Sequence, residues 1–361
     1  MDISFLRPMY AHPGPWISVY LDDSHDVETA RGEIVNRWRT ARDDLAAAGA
    51  PAEAVTAAET ALREGESRPG KHGAALFVSA DAQAYHEWVP GPPASPEAKF
   101  DTLPHVVPLL SERGQQVTWL RVVADRTGAT IEYATTGSVP RRTEVEGSEQ
   151  WPIRKVSPGD WSQARFQREA ETTWQRNTAE AAEAVAAIAD DLSPDVLVIA
   201  GDIQARRLLH EQLPVRWQSR SVLTDGSRAP GADTEALEDV TVQLIAESAD
   251  AQDAHVLERL WERSGESSAL GLTATVAAVN RAQIETLVLD PRKLAGRRLR
   301  IADDGLLALD EGNGGGSADA ADALVRAAAL TGASAVLIAS EQADLADGAA
   351  AVLRYRDEST Q

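Results

Sequence analysis

A chain of 361 residues with 43% hydrophobic content exceeds the size at which one core usually stops growing, so two or three domains are expected. It carries 35 basic and 56 acidic residues, a net charge of −21, which argues against non-specific coating of nucleic acid. It has no cysteine, which excludes disulfides, thiol nucleophiles and cysteine-based metal sites, and its seven histidines are scattered without metal-ligand spacing. No apolar run reaches 18 residues and the start lacks the basic and apolar regions of a signal peptide, so a cytoplasmic protein without a membrane span is expected.

In chain order, Trp16–Leu21 alternates like a strand, and residues 28–48 place Ile34, Val35, Trp38, Ala41 and Leu45 at helical spacing. A second helix is expected over 52–64. Arg68, Lys71 and His72 then form a small cationic loop tip, with Ala74–Ser79 returning as a buried strand and residues 90–96 as a proline-rich loop. Val117–Ala124, a turn at Asp125–Gly128 and Ala129–Ala134 form a hairpin. Asp125 reads as turn chemistry, against a nuclease carboxylate as the alternative.

The stretch Pro158-Gly159-Asp160-Trp161-Ser162-Gln163-Ala164-Arg165-Phe166-Gln167-Arg168 is a breaker pair running into a long helix. Ser162 is a capping-type residue at its start, and an Ala/Glu-rich run continues to Asp191 before Ser193-Pro194. About thirty residues of helix span roughly 45 Å. Phe166, Ala170 and Trp174 make a stripe of buried-face spacing, which leaves Trp161 as the aromatic available to stack on a base. Arg165 and Arg168 lie on the other side and suit phosphate contact, or pairing along the helix as in Arg168 to Glu171. Between residues 141 and 176 there are seven basic residues, Arg154 and Lys155 among them, against six acidic ones, a window near +1 in an acidic chain.

Asp195–Gly201 follows as a strand, then a helix over 203–212 and a strand around 219–223. In the last segment, 269–279 reads as helix, 284–289 as strand, 318–331 as helix and 335–339 as strand. Arg292, Lys293, Arg297, Arg298 and Arg300 form a second basic cluster, suited to RNA or a protein partner, or to charge protection of an exposed strand edge. Gly312–Ser317 is a surface loop whose glycines lack the context of a phosphate-binding loop. No serine elbow, HExxH, Walker or dinucleotide motif occurs, and no metal site or cofactor is expected.

The loop-helix at 158–168 followed by the strand at 195–201 resembles the middle domain of the archaeal and eukaryotic release factors and of pelota, and in particular their bacterial archaeo-eukaryotic-type relatives. That family carries a Gly-Gly-Gln loop ahead of such a helix. Here Trp161-Ser162-Gln163 stands in that place: Gln163 matches the glutamine, while the two residues before it do not match the glycines, whose backbone freedom the family chemistry uses. The resemblance implies an α/β chain of three-domain release factor/pelota-like architecture: an N-terminal α/β domain at 1–115, a ribonuclease H-like middle domain at 116–248 and an α/β C-terminal domain at 249–361.

It further implies a ribosome-binding translation factor occupying the A site. Gly159, Asp160, Trp161, Ser162, Gln163 and Arg165 would lie at the peptidyl transferase centre, and the rRNA contacts would come from Arg154, Lys155, Arg168, Arg68, Lys71, His72, Arg292, Lys293, Arg297 and Arg298. No stop-codon motif is found, so codon-specific release is not expected. The loss of the glycines points to a hibernation or stress factor, with elongation factor Tu as the implied delivery partner and no membrane or DNA partner. A peptidyl-tRNA hydrolase or rescue factor, in which Gln163 orients water, is the alternative.

Overall fold

The computed structural model describes residues 1–24, 30–64, 72–89, 91–93, 96–147, 160–229, 231–262, 267–309 and 316–355, with the side chains of 30–37 and 160–171 outside the description. The chain forms two compact units: residues 1–115 with 252–361, and residues 116–251. The three segments expected from the sequence are thus distributed so that the first and third pack together. Among the described residues, no helix is long and apolar enough to cross a membrane.

In the first segment, α1 (Arg7–Tyr10) precedes β1 (Trp16–Asp22), α2 (Ala30–Ala47), α3 (Ala52–Glu64), β2 (Gly73–Val78), β3 (Ala84–Val89), β4 (Glu97–Asp101) and α4 (Val107–Arg113). The strands make an antiparallel sheet in the order β3-β2-β1-β4. Alternation along a strand sends neighbouring side chains to opposite faces. Ile17, Val19, Leu21, Leu76 and Val78 meet Trp38, Ala41, Leu45 and Ala58 of the two long helices. Trp16, Tyr20, Ala75 and Phe77 enter the core shared with the third segment. Both faces are covered, so β1 and β2 are buried almost throughout.

The middle unit holds β5 (Thr118–Ala124), β6 (Gly128–Thr135), β7 (Arg141–Glu146), α5 (Asp160–Leu192), β8 (Val196–Gly201), α6 (Ile203–Gln212), α7 (Val215–Gln218), β9 (Ser221–Asp225) and the start of α8 (Glu235–Glu262). Its sheet runs β7-β6-β5-β8-β9, with β5, β8 and β9 parallel and β6 antiparallel to its neighbours. Third, second, first, fourth, fifth is the ribonuclease H-like strand order. Leu197 and Ile199 face Val185 and Ala189 of α5 and Leu209 of α6, whereas Val196, Val198 and Ala200 face Leu237, Leu244 and Ile245 of α8.

The third segment contains β10 (Ser268–Leu270), α9 (Leu272–Asn280), β11 (Ile284–Leu289), α10 (Pro291–Leu294), β12 (Arg298–Ile301), β13 (Leu307–Leu309), β14 (Ser317–Asp319), α11 (Ala320–Thr331), β15 (Ser334–Leu337) and β16 (Ala349–Leu353). One sheet is ordered β10-β16-β11-β15 and a smaller one β13-β12-β14. Two helices start later than their composition suggests. Residues 268–270 pair with β16 and Gly271, at φ 87°, turns the chain before α9 begins. Residues 317–319 pair with β12, and the Asp319 carboxylate accepts from Ala321 N to cap α11.

The first and third segments are joined by a buried polar junction. Asp322 of α11, 1% exposed, accepts from Val106 N at 2.9 Å and Val107 N at 3.2 Å, and its Oδ2 lies 2.6 Å from His105 Nδ1. Tyr20 donates to the His105 carbonyl, and His105 N donates to Ser18 Oγ at 2.8 Å. Glu97 lies 3.3 Å from His105 Nε2, while Lys99 Nζ is 3.3 Å from Nδ1 and also 3.6 Å from Asp319. Burial opposes the imidazolium, but its bonds to Asp322 and Glu97 outweigh that and raise the His105 pKa from 6.5 to about 9. Burial pushes the Asp322 carboxyl above its ordinary range, with the imidazolium pulling back.

Replacing Asp322 by Ala strands His105 and two backbone N–H groups, and is expected to destabilise this unit by about 3–5 kcal/mol in urea unfolding. The folded state holds the His105 proton more tightly than the unfolded chain does. Its stabilisation is therefore fully present below pH 6.5 and is lost as pH rises through about 9, a fall in melting temperature that His105→Gln should flatten.

Candidate functional site

α5 is 33 residues long, starts at Asp160 and runs antiparallel to β8 on the sheet. The buried positions in its described part, Asn177, Thr178, Ala181, Ala182, Val185 and Ala189, lie from Asn177 onward. Trp174 packs half-buried against the same core, and the guanidinium of Arg126, in the turn after β5, sits 5.4 Å from its ring centroid. This contact puts Trp174 level with the carboxyl ends of the parallel strands. The 14 residues from Asp160 to Trp174 add about 21 Å of helix beyond that level.

Asp160, Trp161, Ser162, Gln163, Arg165 and Arg168 all fall on this projecting helix. The helix begins two residues before Ser162, so Ser162 is not its cap but a residue of its first turn. Gln163 is the fourth helical residue, and Asp160 to Gln163 are the positions whose backbone N–H groups have no partner inside a helix. Gly159, Arg154, Lys155, Arg68 and Lys71 lie outside the described residues.

The carboxyl edge of the sheet supports the stalk. Gly201 ends β8 at φ 139°, and a Cβ there would stand 2.1 Å from the Ala124 carbonyl oxygen, so only glycine fits. Asp202 accepts from Gln204 N and Ala205 N and caps α6. Asp125 Oδ1 accepts from Thr127 N, Thr127 Oγ1 and Gly128 N, and from Arg228 Nη1 at 2.8 Å. Burial alone would raise its pKa, but these bonds and the Arg228 charge lower it. Asp125 is thus a turn residue held by an arginine, as its setting in the sequence suggested. Arg228 also donates to Thr130 Oγ1 at 3.1 Å. Arg126 and Arg228 carried no signal in the sequence, because their partners lie 48 and 103 residues away.

Other candidates are dispersed. His72 does not stand on a cationic tip: it is 9% exposed, with Nε2 3.4 Å from Asp23 and its ring edge-on to Trp88. Its hydrogen bonds with Asp23 and Ser24 tie the base of that loop to the end of β1. The second basic cluster is cross-linked. Arg292 pairs with Glu341, Lys293 with Asp344, and Arg297 with Asp347 at 3.0 Å. Arg298 makes a two-pronged pair with Asp101 at 2.8 and 3.0 Å. Arg298 and Arg300 sit on β12, the central strand of its sheet, so protection of an exposed edge does not account for them. Arg300 is exposed and has no ion pair among the described residues.

Residues 118–266 match the model of bacterial archaeo-eukaryotic release factor family 2. Over that segment the chain resembles the bacterial archaeo-eukaryotic release factors. Two uncharacterised Mycobacterium tuberculosis proteins, from strains H37Rv and CDC 1551, are each 28% identical over 361 residues, covering 97% of this chain and 96% of their own. Among solved structures, Saccharomyces cerevisiae Dom34, a translation termination-like factor, is similar at a TM-score of 0.42 and 10% identity over 80% of this chain and 81% of its own. Archaeoglobus fulgidus Pelota is similar at 0.35 and 16% identity over 80% of both chains. The family match covers the projecting helix and the whole parallel part of the sheet.

Arg228→Ala leaves Asp125 without its charged partner. It is expected to destabilise the middle unit by about 1–3 kcal/mol in urea unfolding, with Asp125→Asn recovering part of the loss in the double variant.

Proposed function

We propose that this release-factor-like chain is a cytoplasmic hibernation or stress factor that binds the ribosomal A site and fills the peptidyl transferase centre without releasing peptide. The carrying observation is the start of α5: the residues in the place of the family's Gly-Gly-Gln, Trp161-Ser162-Gln163, belong to a helix that already began at Asp160. A helical backbone holds Gln163 in one conformation, whereas release chemistry draws on glycine freedom to bring the glutamine and its water to the ester. A rigid stalk about 21 Å long suits occupancy of a narrow site.

The unpaired N–H groups of the first turn favour negative charge, as do Arg165 and Arg168, so this end of the chain suits phosphate-rich surroundings despite the net charge of −21. Arg154, Lys155, Arg68 and Lys71 supply further rRNA contacts in this reading, and elongation factor Tu is the delivery partner. The cross-paired Arg292, Lys293, Arg297 and Arg298 contribute less, because their charge is already partly compensated.

Co-sedimentation with ribosomes from stationary cells, together with a peptide-release assay on stalled complexes, tests this reading. Wild type and Gln163→Ala should both bind and neither should release peptide. The double variant Arg165→Ala/Arg168→Ala should bind about tenfold more weakly at moderate salt, with a shallower salt dependence. Release by wild type that is lost in Gln163→Ala would establish the hydrolase instead, and no ribosome binding at low salt would refute both.

A further inference from the structure

A cleft of about 570 Å³ opens within the unit formed by the first and third segments. Tyr10, His12, Trp16, Thr102, Ile301 and Arg326 of α11 are among the residues that line it. Two of these groups have unused hydrogen-bonding capacity. The Tyr10 hydroxyl oxygen is buried and has no hydrogen-bond partner among the described residues. Arg326, half-buried, takes part in no ion pair or hydrogen bond among the described residues. The turn carrying Asp303 and Asp304 is its neighbour, since a Cβ on Gly305 would stand 4.0 Å from Arg326 Nη1, but neither carboxylate comes within ion-pair distance. A buried hydroxyl left unbonded and a half-buried guanidinium left unpaired are both unfavourable.

The obvious internal acceptor is already engaged. Asp322, one turn before Arg326, gives its oxygens to His105 Nδ1, Val106 N and Val107 N, and the His105 imidazolium offsets its charge. Burial, then Asp322, push the Tyr10 pKa well up while Arg326 pulls it back, so the phenol stays a donor beside the guanidinium. The remaining walls are apolar or internally bonded. Trp16 is 1% exposed, Thr102 Oγ1 donates to the Ser317 carbonyl at 2.9 Å, and His12 Nδ1 pairs with Asp81 at 2.9 Å. Two unengaged donors lining one cleft beside the Tyr10 and His12 rings call for an anion with a planar body, and the volume lies in the range of small-molecule sites and well above that of a bare phosphate.

We propose that this cleft binds a mononucleotide, its phosphate held by Arg326 and the Tyr10 hydroxyl and its base against the His12 and Pro13 wall. Calorimetric titration of the full chain with the four nucleoside monophosphates, the corresponding nucleosides and inorganic phosphate tests it without involving the ribosome. At least one monophosphate should bind saturably, more tightly than its nucleoside and than phosphate. Arg326→Gln should weaken that binding about tenfold or more, and Tyr10→Phe, which keeps the ring in place, several-fold. Arg326→Lys, which keeps the charge, should fall between wild type and Arg326→Gln, with circular dichroism establishing that each variant is folded. Absence of saturable binding at millimolar monophosphate, binding unchanged in folded Arg326→Gln, or inorganic phosphate binding as tightly as the monophosphate would each overturn the proposal.

Discussion

The bond between Asp322 and His105 is the constraint on which the larger unit depends. A carboxylate on α11 can be fully buried only if each of its oxygens is bonded, and the bonds come from the chain just ahead of α4, more than two hundred residues away in sequence. Around this contact the inner face of the first sheet, with Trp16, Tyr20 and Phe77, shares one core with Leu287, Leu289, Leu324 and Ala351 of the third segment. The polar junction sets the register and the apolar area supplies the stabilisation. The same engagement of Asp322 leaves Arg326, four residues on, without a carboxylate of its own, which links the junction to the chemistry of the neighbouring cleft.

The middle unit obeys a different constraint, one of length. Six-residue strands span only about 20 Å, so a 33-residue helix antiparallel to β8 cannot be covered by the sheet along its whole course. The buried positions in its described part cluster from Asn177 onward, and the excess projects from the carboxyl edge. That edge is built for rigidity: Gly201 lets two strands approach, Arg228 holds the Asp125 turn, and Arg126 stacks on Trp174. The carboxylates there are engaged in turns, caps and ion pairs.

Much of this was legible in the residues. Strands with apolar side chains on both faces, such as 17–21, 74–78 and 196–201, announce themselves because burial on two sides leaves no polar alternation to confuse them. α8 was not legible. Leu237, Thr241 and Leu244 face one core and Val256, Leu257 and Leu260 another, so its apolar stripe drifts round the helix and no single face stands out. Strands β3, β4 and β7 were missed because their exposed or half-exposed positions are set by neighbours in the sheet rather than by their own pattern. His72 was misread for a related reason: proximity to Arg68 and Lys71 in sequence says nothing of the Asp23 and Trp88 that enclose it.

By itself the sequence determined what local chemistry controls: the α/β alternation, the long helix behind Pro158-Gly159, the glutamine without its glycines and, through them, the release-factor resemblance. The tertiary structure decided what depends on groups distant in the chain. It alone placed Trp161-Ser162-Gln163 within a helix already begun at Asp160, bound the second basic cluster to Glu341, Asp344, Asp347 and Asp101, and joined the first and third segments through Asp322. A side chain's partners are fixed by which faces the fold brings together, and neither composition nor spacing along the chain contains that information.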